Sequence, residues 1–188
     1  MKPAPFNRPR RLQDGASLIE VLVAVLLLSF GMLSLAAMTS FAVQLPKLSA
    51  NRATAANIAA DYVERIRANP GGFRVNSYNA TLSYDGTFNN VALSDCAYPA
   101  CTEATLATMD FKAIQNAARV ALPAGGMLMK CENTPCGVNG HGNLWIVWQE
   151  PTTFAAFDST NSDNCPTEVT STYTSPQPRC LYVRFKVD

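Results

Sequence analysis

The sequence predicts an α+β protein in which one long helix packs on a small antiparallel sheet. Residues 16–69 have the pattern of one helix, because an apolar run over 18–43 is followed by an amphipathic stretch. The segment 180–187 alternates apolar and polar side chains, which is typical of a half-buried strand. Two short apolar runs, 126–132 and 144–149, predict a hairpin that completes the sheet.

The apolar run is long enough to cross a bilayer as a helix, since roughly 20 residues span the hydrocarbon. Glu20 is the one ionised side chain within it. A carboxylate inside a membrane segment costs roughly 2.5 kcal/mol or more, so we expect Glu20 to have a partner and a function. Pro46 follows the run, and we expect it to kink the helix or end it for a turn.

The segment before the run is basic and sets the orientation. Residues 1–15 contain a single acid, Asp14, and four cations: Lys2, Arg8, Arg10 and Arg11. The positive-inside bias therefore predicts a cytoplasmic N-terminus and an exported remainder. A secretory cleavage site could lie after the run, near Ser34 to Met38, or cleavage could occur before the run, at Gly15-Ala16.

The motif GASLIE at 15–20 resembles the class III prepilin signal, whose usual form is G-F-T-L-I-E. It matches at Gly15, Leu18, Ile19 and Glu20, and it departs at Ala16, where phenylalanine is usual. The resemblance implies that a prepilin peptidase cuts after Gly15, methylates the new amine of Ala16, and leaves the apolar helix on the mature protein. Our hypothesis is that Glu20 pairs with the amine of a neighbouring subunit during assembly; the alternative is an incidental interfacial acid.

The amphipathic half of the helix predicts one apolar stripe and ends at a stop signal. The stripe consists of Leu48, Ala55, Ala59, Tyr62 and Ile66, with Ile58 and Val63 at its edge. Asp61 and Arg65 form an i,i+4 pair, and Asn69-Pro70-Gly71-Gly72 should end the helix. The stretch VERIRANP at 63–70 resembles the PilV group of type IV pilus minor pilins, the pilus modification proteins. Arg65 and Arg67 are either a solvated face or a contact with other subunits.

The predicted domains are a leader peptide at 1–15, a transmembrane and assembly helix at 16–45, and a periplasmic head at 46–188 that includes the amphipathic helix 47–69. We expect a long loop at 71–103 and a helix at 105–121. The apolar face of that helix is predicted to be Leu106, Met109, Ala113, Ala117 and Val120. The resemblance implies that the whole is a pilin-like fold.

The six cysteines all follow the apolar run, and their even number on the exported side predicts disulfides. Fifteen pairings exist in principle, and the spacing favours local ones. The favoured pairs are Cys96 with Cys101, Cys131 with Cys136, and Cys165 with Cys180. The alternative is a zinc site built from two thiol pairs.

Charge and residue types argue against several function classes. The chain carries a formal charge of +1, and without residues 1–15 it keeps 11 Lys+Arg against 13 Asp+Glu, which gives no footprint for nucleic acid. His141, the single histidine, lies in an NGHGN stretch that predicts an exposed turn. Asp85, Asp95, Asp158 and Asp163 are irregularly spaced and are expected to be solvated loop acids, with a calcium site as the alternative. We therefore expect no enzyme activity, metal, cofactor or small-molecule substrate.

These features indicate a minor pilin that takes part in type IV pilus assembly or priming and indirectly supports adhesion, twitching motility or DNA uptake. The implied partners are the prepilin peptidase, other minor pilins, the major pilin and inner-membrane lipid. The implied location is the inner membrane, with a single span and a periplasmic C-terminal domain, and then the pilus fibre. The alternatives are a minor pseudopilin of a type II secretion system and a single-pass anchored adhesin or binding module.

Overall fold

The computed structural model describes residues 17–97, 99–150, 163–174 and 176–188. Its architecture is α+β, as predicted. The elements in chain order are α1 (Leu18–Ala68), α2 (Pro70–Arg74), α3 (Glu103–Ala121), β1 (Gly126–Cys131), β2 (His141–Trp148), α4 (Thr167–Thr170) and β3 (Arg179–Lys186). The three strands form an antiparallel sheet in the order β1-β2-β3. The chain divides into two compact units, Met1–Leu45 and Pro46–Asp188, and we call the second unit the head.

Helix α1 begins after Ser17, whose carbonyl accepts hydrogen bonds from the backbone N–H groups of Glu20 (2.9 Å) and Val21 (3.3 Å). The helix runs for 51 residues and includes Pro46. Of the two alternatives expected at Pro46, a kink or an end of the helix for a turn, the second is therefore wrong. A proline removes a single backbone donor from the helix, and the long runs of helical residues on both sides keep their own hydrogen bonds.

The head is organised around the predicted stripe of α1. Its buried residues are Leu48, Ala55, Ile58, Ala59, Tyr62, Val63 and Ile66, which confirms the pattern derived from the sequence. From Ala55 onward they belong to one apolar core with side chains of all three strands, among them Met127, Ile146 and Phe185. Helical spacing in α1 and alternation in the strands thus supply the two layers of the core.

A second short helix, α2, begins directly after the end of α1. The helix ends at Ala68, and Asn69 then caps α2 by accepting a hydrogen bond from the Gly72 N–H on its side-chain oxygen (3.2 Å). The loop predicted at 71–103 is therefore wrong for residues 71–74, which are helical. A Cβ on Gly72 would lie 2.9 Å from the Glu103 carbonyl oxygen, so glycine lets α2 pass close to the start of α3.

Helix α3 forms where predicted but buries a different face. Its buried apolar residues are Ala107, Ile114 and Ala118, with Phe111 partly buried between them, whereas Val120 of the predicted face is 71 % exposed. The helix carries two apolar stripes at i, i+4, i+7 spacing. Contact with the rest of the head selects one of them, and that choice is not encoded in the helix alone.

The predicted hairpin and terminal strand are confirmed, with one correction. Strand β2 begins at His141, which pairs with Lys186 of β3, so His141 is a strand residue and not part of a turn. Its Nδ1 lies 3.6 Å from a carboxylate oxygen of Glu132. Trp148 is buried in the core, and Trp145, on the other face of β2, contacts the ring of Tyr182 at 5.1 Å between centroids.

All six cysteines are paired in the structure. The bridges are Cys96–Cys101, Cys131–Cys136 and Cys165–Cys180, and no free cysteine remains. These are the pairs that local spacing favours. The zinc alternative is wrong, because a disulfide leaves no thiolate to bind the metal.

Candidate functional site

The first part of α1 presents a surface of exposed apolar side chains. Its large side chains from Leu18 to Leu45 are exposed, for example Leu18 at 79 % and Phe30 at 64 %. Burying one such side chain is worth roughly 1.5–3 kcal/mol, so leaving the whole surface in water would be prohibitively costly. By length and composition, α1 is the one helix among the described residues that could cross a membrane. This surface therefore requires lipid or other helices around it.

Glu20 lies in the first turn of this helix, with its side chain exposed. A carboxylate in that position interacts favourably with the positive end of the helix dipole. Within the described chain it makes no ion pair or hydrogen bond with another side chain. Gly15 and Ala16, the predicted processing site, lie outside the described residues.

The end of α1 is tied to α3 by a polar network around Arg65. The Arg65 guanidinium donates to Asp61 (Nε to Oδ1, 3.0 Å) and to Asp110 of α3 (3.3 Å). The Tyr78 hydroxyl donates to the other oxygen of Asp110 (2.6 Å), and the Asn69 side-chain N–H donates to that hydroxyl (3.2 Å). Arg65 therefore joins α1 to α3. The interpretation of Arg65 as part of a solvated face is incomplete.

Burial, and then the hydrogen bond to Asp110, raises the pKa of Tyr78. Tyr78 therefore stays a neutral donor throughout the physiological range. Arg67 differs from Arg65: it is half exposed, and it pairs with Glu64 one turn earlier (2.7 Å).

A buried ionic cluster lies at the end of the sheet and was not predicted from the sequence. Asp163, expected to be a solvated loop acid, has a side chain only 2 % exposed. It accepts hydrogen bonds from NH2 of Arg179 in β3 (3.1 Å) and from NH2 of Arg52 in α1 (3.2 Å). Glu150 lies 3.7 Å from Arg179 and accepts from the Trp148 indole N–H (2.9 Å). The cluster connects α1, β2 and β3, and it joins residues too distant in sequence for any local pattern to reveal.

A second missed pair joins α3 to the loop after α2. Arg119, whose side chain is 2 % exposed, donates from NH1 to Asp85 Oδ1 (2.6 Å) and to the Thr87 hydroxyl (2.8 Å). The hydrogen bond from Arg119 lowers the pKa of Asp85 to about 2, and hydrogen bonds from Thr87 contribute further. Asp85 is therefore a paired acid rather than a free loop acid.

We expect this pair to make the head sensitive to acid. The pKa of Asp85 is about 2 in the folded head and about 3.9 in an unfolded chain. Its contribution to stability is thus complete above about pH 4 and is lost as the pH falls through about 2. Urea unfolding followed by tryptophan fluorescence should show a smaller loss of stability between pH 5 and pH 2 for Asp85→Asn than for wild type. An equal loss in both proteins would contradict the assignment.

Among the described residues, no group of three or more His, Cys, Asp or Glu side chains could hold a metal ion. The polar clusters are ion pairs and hydrogen bonds between structural elements. Their geometry fixes the head and offers no nucleophile with an adjacent base.

Comparison with known families gives one match. Residues 37–112 match the Tt1218-like family model, described as type IV pilin Tt1218. This match supports a type IV pilin. The matched range covers the last third of the apolar run, the rest of α1, α2 and the first half of α3. It does not include the motif at 15–20. Comparisons with curated proteins and with solved structures gave no match.

The architecture agrees with this family. A long N-terminal apolar helix, a three-stranded antiparallel sheet and three disulfides form an α+β pilin-like fold. Type IV pilins are structural and non-enzymatic, which agrees with the expectation that the chain is not an enzyme. The match supports a role as a pilus subunit and implies association with other pilins. The apolar helix is consistent with a membrane-anchored pilin that ends in the pilus.

Proposed function

We propose that this protein is a minor pilin of the PilV type that takes part in the assembly or priming of a type IV pilus. The proposal rests on the exposed and mostly apolar surface of α1 from Leu18 to Leu45, in a chain that matches a type IV pilin family. Such a surface suits storage in the inner membrane and then packing against other pilin helices in the fibre. The head would contact other minor pilins and the major pilin, and the assembled fibre would support adhesion, motility or DNA uptake.

Glu20 is proposed to set the register of assembly. After cleavage behind Gly15, the methylated amine of Ala16 would lie one helical turn from Glu20 of the same chain. In a growing bundle, Glu20 of one subunit would pair with the amine of its neighbour. An ion pair inside an apolar bundle is costly to break, because the remaining partner stays buried without a counter-charge.

The N-terminus of the mature protein tests this proposal. We expect protein recovered from sheared pili to begin at N-methylated Ala16 when its N-terminal peptide is analysed by mass spectrometry. A Gly15→Val variant is the control: it should keep residues 1–15 and be retained in the membrane fraction.

Two results would contradict the proposal. A chain that begins at Met1, or that starts after Ala37, would remove the protein from the prepilin class. Absence from sheared pili, together with recovery in a complex of type II secretion components, would favour the pseudopilin alternative.

A further inference from the structure

The two outer edges of the sheet differ. The outer edge of β1 is covered by the loop that follows α2, because Ala80 N–H donates to the Met129 carbonyl (3.0 Å) and Ser83 N–H donates to the Met127 carbonyl (2.9 Å). The N–H of Met127 donates in return to the Ser83 hydroxyl (2.9 Å). This edge therefore has its hydrogen bonds supplied from within the chain.

The outer edge of β3 has three open positions. Val187 N–H donates to the Gly140 carbonyl across the β2–β3 ladder (3.1 Å). Bonding alternates along an antiparallel ladder, so odd-numbered residues of β3 face β2 and even-numbered residues face outward. At Cys180 the outward N–H donates a hydrogen bond to the Asp163 carboxylate (3.4 Å). Among the described residues, none bonds to the outward main-chain groups of Tyr182, Arg184 and Lys186.

A groove of about 510 Å³ follows this open edge. One wall is α1, where Ala56 and Ala60 leave space beside Val63. The other wall is β3, with Val183 and Phe185 among its lining residues. A strand added to β3 would place every second side chain in this groove, since side chains alternate along a strand. The remaining side chains would lie beside those of Tyr182, Arg184 and Lys186.

The charges around the groove restrict the occupant. Its walls carry three cations, Arg67, Arg184 and Lys186, and one acid, Glu64. Arg184 is held by Glu132 (2.8 Å) and Lys186 by Asp188 (2.7 Å), and both pairs are exposed and easily exchanged. A second copy pairing edge to edge would bring its own Arg184 and Lys186 against these cations, which is unfavourable for facing residues.

We infer that the open edge of β3 binds an extended segment of another protein in which apolar and acidic residues alternate. The segment would add a fourth strand to the sheet through the main chain of Tyr182, Arg184 and Lys186. Its apolar side chains would fill the groove against Ala56 and Ala60, and its carboxylates would replace those now paired with Arg184 and Lys186. The inference concerns the head alone and goes beyond the role of α1 in the proposed pilus function.

The experiment measures binding of short, capped, fluorescent peptides to the full chain in detergent micelles by anisotropy. The probe alternates valine and glutamate, and a control peptide alternates valine and lysine. We expect the glutamate peptide to bind roughly tenfold or more tightly than the lysine peptide. Hydrogen exchange should show new protection at the amides of Tyr182, Arg184 and Lys186 when the glutamate peptide is present.

Two pairs of variants test the inference. The first pair distinguishes the main chain of β3 from the charge of Arg184, and the second tests the groove. Arg184→Pro removes the outward N–H without removing a bond to β2, whereas Arg184→Ala removes the charge alone. We expect the proline variant to bind the glutamate peptide at least roughly tenfold more weakly than the alanine variant. Ala60→Phe should fill the groove and abolish binding, while Ala53→Phe on the same helix should not. If circular dichroism shows that Arg184→Pro does not fold, the comparison of Ala60→Phe with Ala53→Phe still tests the inference.

Several outcomes would overturn the inference. These are no binding of the glutamate peptide by the wild type, equal binding by the proline and alanine variants when both fold, and unchanged binding by Ala60→Phe. Concentration-dependent dimers cross-linked through β3 would also overturn it, because they would assign the edge to a second copy of this chain.

Discussion

The Asp163→Asn variant is expected to lower the free energy of unfolding of the head by roughly 3–5 kcal/mol. The carboxylate of Asp163 is almost fully buried and is shared by Arg179 and Arg52. Arg179 is itself 2 % exposed, so losing the Asp163 charge removes the carboxylate that lies 2.7 Å from its buried guanidinium. The Cys180 N–H also loses a charged acceptor. Removing one partner of a buried pair is far more costly than exchanging an exposed pair.

The measurement is urea unfolding followed by tryptophan fluorescence. Both tryptophans report on this region, since Trp148 donates to Glu150 and Trp145 donates to the Asn164 carbonyl (3.0 Å). Glu64→Gln is the matched control, because it breaks an exposed pair with Arg67 and should cost about 1 kcal/mol or less. If Asp163→Asn were no less stable than Glu64→Gln, the cluster would not support the head.

The Glu20→Ala variant is expected to enter filaments at less than roughly one tenth of the wild-type amount. Under the proposed function, this change leaves a buried amine unpaired in the bundle at a cost of about 3–5 kcal/mol, and each 1.4 kcal/mol corresponds to a factor of about ten. Glu20→Gln keeps the shape of the side chain and removes only the charge, so we expect a similar loss. The measurement is the ratio of this protein in sheared pili to protein in the membrane fraction.

Ser29→Ala is the control for Glu20. The Ser29 hydroxyl donates to the Val25 carbonyl within the same helix (2.7 Å), so its removal changes a polar group without changing charge. This variant should enter filaments normally. Wild-type filament levels for Glu20→Ala would refute the pairing role, while the head would keep its fold.

Local patterns were sufficient for most of the fold. The apolar run and the stripe from Leu48 to Ile66 predicted α1, and alternation predicted β3. Short spacing favoured the three bridges that the structure forms. Each of these features is set by residues close together in the chain, and so each can be recognised from sequence.

The remaining features depend on partners far away in sequence. Helix α3 has two apolar stripes, and the rest of the head decides that Ala107 and Ile114 are buried while Val120 is exposed. The loop acid Asp163 is buried against Arg179 of β3, and it also accepts a hydrogen bond from Arg52, 111 residues earlier. The features proposed for assembly and binding differ in the same way. The apolar surface and Glu20 can be recognised in the sequence, whereas the open edge of β3 can be recognised only when the sheet order is known.

The three disulfides have a consequence for how the head is secured. Two of them join residues 5 apart and the third joins residues 15 apart, and none includes a residue of α1. The covalent constraints therefore act on connecting segments, on the end of β1 and on the start of β3. Helix and sheet are held together by apolar packing, by the Arg65 network and by the Asp163 cluster. A reducing environment would therefore free the segments that the bridges close, while no covalent bond between α1 and the sheet would be lost.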